Sequence, residues 1–416
     1  MIILFIVTSF WAYGELGIAC EFALRVREAG HKPYFIIPPS HDKTIEKYGF
    51  PYTTLLPKNG KINRILLTDI ELRLKPEIIL LADFLNYNFC ESHYGLTPDD
   101  LKIFSGKLGT FDNFDWVITG NQMDTYGFRA EKFGEIDVRR YGFRLCPCPI
   151  VNPNSGEREN TYHYSLFTRL LPYRVDATKS WKEKLGLPTD KKLILFTHAP
   201  WQETYKQYPD VEAFVKASNE VFYYIIKCLA KEHTVLCIGA KGYFSECEND
   251  HILYKEQLPP KEFEQFLLAT DLFVSRNITS TSLARAVLSG IPCVNFSNSL
   301  FFSKTKPLRK EQLPFKPTVL VEAIFEKLER CYPYRMFPVG WYKFLAPVLK
   351  NNPYGKALLL LEQFDVTNSL KKIKELLQGE ERKECLQQSL CQYKQILKEL
   401  PSVAQIIEKI REEGNL

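Results

Sequence analysis

Ala269-Thr270-Asp271-Leu272-Phe273-Val274-Ser275-Arg276-Asn277-Ile278-Thr279-Ser280-Thr281-Ser282-Leu283-Ala284-Arg285-Ala286-Val287-Leu288-Ser289-Gly290-Ile291-Pro292-Cys293-Val294-Asn295-Phe296 reads as one strand-helix-strand step. Leu272 to Ser275 is an apolar run of buried-strand length, Ser282 to Ser289 is a short helix, and a second strand starts at Cys293. Gly290 stands where the helix needs a left-handed residue after its last turn, and Pro292 blocks continuation while pushing Ile291 into an extended conformation. The helix is preceded by four hydroxyls in a row, Thr279, Ser280, Thr281 and Ser282. Such side chains cap the free N–H groups of a first turn, and the same N–H groups face a bound anion. The step is therefore built to receive a phosphate.

The chain opens with the same grammar. Ile2 to Val7 is an apolar run too short to cross a bilayer and without a basic lead, so it reads as a first buried strand rather than a signal peptide. The turn Thr8 to Gly17 follows, then an amphipathic helix ending at Ala29-Gly30, then a second strand from Tyr34 to Ile37. In doubly wound sheets ligands gather at the carboxyl ends of strands, which places Ser9 to Gly17 on the functional edge. The turn is not a G-x-G-x-x-G fingerprint, so no dinucleotide is implied. Further strands are expected at Ile78 to Ala82 and at Trp116 to Thr119, each running into polar residues: Asp83 after the first, Asn121 and Gln122 after the second. Ordinary strand-end caps account for those residues as readily as a site does. The region Asn86 to Asp100, with Tyr87, Cys90, Glu91, His93 and Tyr94, suits an acceptor pocket or a surface loop.

Cys146 to Pro172, rich in Pro and aromatics, reads as an irregular crossing between domains. A second domain then opens with a short helix at Trp181 to Leu185 and a strand at Lys191 to Thr197 leading into His198. A long helix from about Val211 to Lys231, a strand at Thr234 to Ile238 and a helix started by Pro259-Pro260 lead to the quoted stretch. Beyond it, Asn298 to Lys316 mixes Phe301, Phe302 and Phe315 with five cations; a solvated loop explains it, and so does contact with a phosphate or a membrane surface. The tail from Tyr354 is helical and charged, with apolar stripes interrupted at Pro401, which argues against a coiled coil.

At 416 residues the chain needs more than one core. The expected division is 1–175, 176–345 and a helical 346–416 whose last helix packs on the first domain. A net charge of +5 is too small for a dedicated nucleic-acid binder, and 45% hydrophobic with 25% charged residues is the balance of a soluble globular protein. The eleven cysteines lack zinc spacing, since Cys146-Pro147-Cys148 is too tight and has no second pair, so reduced thiols in a cytoplasm are expected.

Two strand-helix-strand domains joined by an irregular crossing, with a hydroxyl-rich helix start in the second, resemble the α/β GT-B fold of nucleotide-sugar glycosyltransferases over nearly the whole chain. The likeness is strongest to the inverting branch that holds macrolide and plant glucosyltransferases and the peptidoglycan lipid N-acetylglucosaminyltransferase. It implies two Rossmann-like doubly wound domains facing a cleft, with C-terminal helices returning to the first. Gly14-Glu15-Leu16 resembles the loop that carries that branch's general base, so Glu15 is the candidate base. The resemblance implies a nucleoside-diphosphate sugar as donor, with no metal required. It assigns Arg276, Thr279, Ser280, Thr281, Ser282, Arg285 and His198 to donor and phosphate binding, and Trp11, Tyr13, Asp83 and Asn121 to the acceptor. A helix-start charge favoured by the macrodipole also explains Glu15. The chain departs from the branch at Arg285, where a ribose-binding Glu is usual, and it lacks the Asp-Gln pair beyond Pro292. An epimerase or hydrolase of the same fold, or a noncatalytic relative, therefore stays open beside a transferase acting on a small-molecule, lipid-linked or peptide acceptor.

Overall fold

The computed structural model describes residues 1–416 except 11–12, 89, 120–137, 157, 204–208, 240, 248–251, 336–341 and 414–416. Two parallel sheets organise it. The first contains β1 (Ile2–Ile6), β2 (Lys32–Ile37), β3 (Tyr52–Thr54), β4 (Ile78–Leu81), β5 (Lys107–Phe111), β6 (Phe143–Cys148) and β7 (Thr161–Ser165) in the order β3-β2-β1-β4-β5-β6-β7. The second contains β8 (Leu193–His198), β9 (Thr234–Gly239), β10 (Ile252–Glu256), β11 (Leu272–Ser275), β12 (Cys293–Ser297) and, beyond the hairpin of β13 (Phe302–Ser303) and β14 (Arg330–Cys331), β15 (Leu359–Glu362). Its order is β10-β9-β8-β11-β12-β15. Each order reverses direction once, beside β1 in the first sheet and beside β8 in the second, which is the signature of a doubly wound domain.

The strands are near-continuous apolar runs because both faces are covered. In the first sheet Phe5 stacks on Phe35 at 4.8 Å between ring centroids, and Phe22 meets Phe111 edge-on at 5.5 Å. Phe22 comes from α1 (Gly14–Glu28), the helix after β1. In the second sheet Phe196 meets Phe222 of α2 (Pro209–Ala230) edge-on at 5.4 Å. Burying each such ring stabilises the fold by about 1.5–3 kcal/mol. The helix α3 (Pro260–Leu268) delivers the chain to β11, just before which Asp271 accepts from the Lys182 ammonium at 2.6 Å and from the Leu193 N–H at 2.7 Å. The helix α4 (Thr281–Leu288) then closes at Gly290, which adopts φ +89° as the sequence predicts.

Three expectations need correction. Trp116–Thr119 is a short helix, and the neighbouring strand is β5, eight or so residues earlier; Asp112 accepts the Trp116 N–H at 3.0 Å and so starts a helical turn there. The supposed irregular crossing contains β6 and β7. Pro147 is tolerated inside β6 because β5 pairs with it only as far as Leu145, so the missing N–H faces no partner strand. The tail holds a strand as well as helices: β15 pairs with β12 and completes the second sheet. After it come α5 (Val366–Gln378), α6 (Glu380–Lys398) and α7 (Val403–Glu412). The last returns to the first sheet, where the Ile410 carbonyl accepts from Lys107 at 3.0 Å and Tyr162 bonds Glu413.

Candidate active site

The reversal of strand order opens a crevice outside the carboxyl ends of β1 and β4, because the chain leaves these two neighbours in opposite directions. Glu15 stands in the first turn of α1, directly after β1, and Asp83 follows the end of β4. One carboxylate oxygen of Glu15, Oε2, is buried with no hydrogen-bond partner among the described residues. Burial holds this carboxyl above the usual range, opposed only by its own backbone N–H. Asp83 is pushed up to about 8, first by burial and then by the charge of Glu15, against the pull of the Asn86 and Leu85 N–H groups. Those groups reach Asp83 Oδ1 at 3.2 and 2.8 Å. With Asp83 held up to about 8, the two carboxyl groups are not both ionised at neutral pH. One of them is then a carboxylate of raised basicity, which is what removal of a proton from a hydroxyl requires.

A third acid stands behind them. Asp112, after β5, is fully buried and is pushed up to about 7, chiefly by burial. Sequence reading missed it because β5 was placed at Trp116; the run Leu108 to Phe111 before an Asp was the available signal. Asp112, Asp115 and Cys146 bring their ligand atoms within 4.8 Å of one another. Asp115, however, is held bidentately by Arg158 at 2.5 and 2.6 Å, so an ion there has to displace a guanidinium. That arrangement does not fit a resident metal.

Rings pack along the loop that leads from β1 to α1. Tyr13, half-buried, lies 4.7 Å from the His41 ring and donates to the Ser40 carbonyl at 3.3 Å. A ring nitrogen of buried His41 is 2.7 Å from the Ser9 carbonyl. Phe10 stacks on His93 at 4.0 Å. Of the residues expected at the acceptor, Tyr13 is the N-cap of the helix that carries Glu15, Asp83 is near enough to feel the charge of Glu15, and Trp11 and Asn121 lie outside the described residues.

The second reversal lies between β8 and β11. His198 ends β8, buried and edge-on to Phe244 at 5.1 Å. Close beside it passes Gly239, where a Cβ would lie 1.9 Å from the His198 carbonyl oxygen, so the two strand ends meet at backbone distance. Beyond β11 the loop is wound on Asn277, whose Oδ1 accepts from the N–H of Thr279 at 3.0 Å and from its hydroxyl at 2.9 Å. Ser280 caps α4 by accepting the Leu283 N–H at 3.3 Å. Thr281 and Ser282 form the first two positions of the helix, and all four hydroxyl residues are half-buried. The expected cluster is thus assembled at a helix N-terminus, where N–H groups and dipole favour an anion.

The two arginines are placed differently. Arg276, 5% exposed, points into α2, donating to Asn219 Oδ1 at 2.7 Å and Ser218 Oγ at 3.0 Å with its guanidinium over the Phe222 ring. Arg285 pairs with Glu264 of α3 at 3.1 Å and with Glu21 of α1. Both were expected to face phosphate; in this structure each makes contacts to protein groups through its terminal nitrogens. No local signal in the sequence announces the Arg285–Glu21 pair, whose members are 264 residues apart.

Two Rossmann-like domains facing a cleft, with terminal helices returning to the first, define a GT-B protein. Solved structures agree over the full length. The chain resembles Arabidopsis thaliana UGT89C1 complexed with quercetin (10% identity, TM-score 0.57, covering 100% of this chain and 99% of that one). It also resembles Anabaena Alr3699/HepE in complex with UDP-glucose (12% identity, TM-score 0.55, 100% and 99%). A third likeness is to the spinosyn forosaminyltransferase SpnP (12%, 0.54, 99% and 98%). The chain belongs to the family whose profile matches residues 22–413 and is described as a family of unknown function (DUF6365). No curated protein matches it in sequence.

Proposed function

We propose that this protein is a glycosyltransferase that moves a sugar from a nucleoside diphosphate to an acceptor hydroxyl with inversion. One observation carries the reading: the carboxyls of Glu15 and Asp83 and the hydroxyl-capped helix start each occupy the switch point of a doubly wound sheet. The solved neighbours with UDP-glucose bound or named as a glycosyltransferase support the donor class. In the proposed division, 1–175 holds the acceptor, 176–345 the donor, and 346–416 ties the two together. The reaction is a single displacement. Glu15 takes the proton of the acceptor hydroxyl as its oxygen bonds the anomeric carbon, and the bond from that carbon to the diphosphate oxygen breaks on the opposite face. Negative charge developing on the diphosphate is met by the first N–H groups of α4 and the hydroxyls of Thr279 to Ser282, so the proposal needs no metal. His198 lines the same switch point. Asp83, protonated, keeps a second negative charge away from Glu15.

The rings of Phe10, Tyr13 and His93 suit an acceptor with a planar or apolar face beside its hydroxyl. Among the described residues ten cysteines are unpaired, which fits a reducing compartment, and no described helix is long and apolar enough to cross a membrane. The test has two arms. Thermal-shift titration with UDP, dTDP and their glucose conjugates is expected to raise the melting temperature for at least one. With that donor and a panel of phenolic and sugar acceptors, Glu15→Gln is expected to lower kcat by about 100- to 10,000-fold. A Glu15→Gln enzyme that transfers normally overturns the base assignment, and donor cleavage without any acceptor moves the reading to a hydrolase or epimerase.

A further inference from the structure

Arg285 is the point where three parts of the chain meet. Its guanidinium binds Glu21 on α1 and Glu264 on α3, and it lies 4.4 Å from the centroid of Phe167, in the segment that leaves β7. All three charged side chains are at most one-third exposed, at 16%, 13% and 32%. The same corner is fastened from the other side. Arg25, one turn beyond Glu21, donates to the Ser165 and Leu166 carbonyls at 2.5 and 3.0 Å, and the Leu171 N–H donates to Ser289 Oγ at 3.2 Å. Charges balance: Arg25 and Arg285 stand against Glu21 and Glu264, with the phenols of Tyr48 and Tyr164 and the thiol of Cys20 as further titratable groups near Glu21.

The helices joined here are those that carry the proposed chemistry. Glu21 lies six residues after Glu15 on α1, and Arg285 four residues after Thr281 on α4. At 1.5 Å per residue the contact sits about 9 Å behind the base and about 6 Å behind the anion-binding end. We propose that Arg285 is a positioning residue: a strut that fixes α1 against α4 and so sets the separation of Glu15 from the diphosphate cradle. The inference rests on the proposed transferase reading for its purpose, though not for its mechanics. It explains why a residue on this turn of the helix is a cation, since the carboxylates it must hold come from the facing elements.

The test uses the full chain. Small-angle scattering gives the radius of gyration, about 22 Å for a compact chain of 416 residues. Arg285→Met is expected to enlarge it with unchanged circular dichroism, Glu21→Gln to enlarge it less, and Arg285→Lys to restore most of the compactness through a single ammonium contact. UDP and dTDP binding by calorimetry is expected to weaken about tenfold in Arg285→Met and to recover in Arg285→Lys. If Arg285→Met fails to fold, Glu21→Gln carries the comparison. Unchanged scattering in a folded Arg285→Met or Glu21→Gln protein overturns the strut. Failure of the wild-type chain to bind any nucleoside diphosphate counts against the transferase reading alone, because scattering still reports on the strut.

Discussion

Asp83→Asn is expected to make the protein more stable at neutral pH. In the native chain burial and the neighbouring charge of Glu15 push Asp83 from the usual 3.8 up to about 8. The folded state therefore binds this proton more tightly than the unfolded state. The stability it contributes is complete below the unfolded value and is lost as pH rises towards the folded one. Within that window each pH unit removes about 1.4 kcal/mol, so the loss from about pH 4 to about pH 7 approaches 4 kcal/mol as a ceiling. Asparagine never ionises, and its Oδ1 keeps the bonds from the Leu85 and Asn86 N–H groups at 2.8 and 3.2 Å. Urea denaturation at steps between about pH 4 and about pH 9 is expected to show the two proteins nearly equal at the acid end, the variant gaining up to about pH 8, and a constant gap beyond. Parallel curves, or a wild type more stable at the alkaline end, refute the carboxyl pair. Because Asp83 is already protonated on the acid side of about pH 8, the acid limb of the rate profile is expected to stay in place in the variant.

Other perturbations address single contacts. Ser280→Ala removes the cap on α4 and is expected to cost about 0.5–2 kcal/mol in thermal denaturation, together with weaker UDP or dTDP binding. Gly239→Ala drives a methyl group into the His198 carbonyl and is expected to cost about 1–3 kcal/mol, read as an earlier urea midpoint. Glu15→Gln is also expected to lower the proton affinity of Asp83, visible as a flatter dependence of stability on pH than in the wild type.

The elements that were legible in the sequence are those whose apolar runs end in strong punctuation. Ile2 to Ile6, and the quoted stretch with its Gly290-Ile291-Pro292 stop, fold as their patterns indicate. What escaped depends on partners distant in the chain. β6 is a strand despite Pro147 because β7 pairs with it on one side and β5 ends early on the other, which no local window contains. The site divides in the same way. Glu15 and the hydroxyl cluster are local features of strand-to-helix turns and were readable. The destinations of Arg276 and Arg285 were not, because a guanidinium chooses among carboxylates and amides that only the tertiary fold brings near. Asp112 was hidden by the misplacement of a single strand.

The path of the chain after β14 has a topological consequence. Before it supplies β15 the chain visits the first half, where Asn352 donates to the carbonyls of Pro149 and Ile150 at 3.1 and 3.3 Å and the Lys350 carbonyl accepts from Asn152. It then adds β15 to the edge of the second sheet and goes back to the first half, where the Ile410 carbonyl of α7 is held by Lys107. The two halves are thus interleaved along the chain rather than strung one after the other. The second half is accordingly no detachable cartridge: cutting the chain at residue 345 removes β15 and bares an edge of β12.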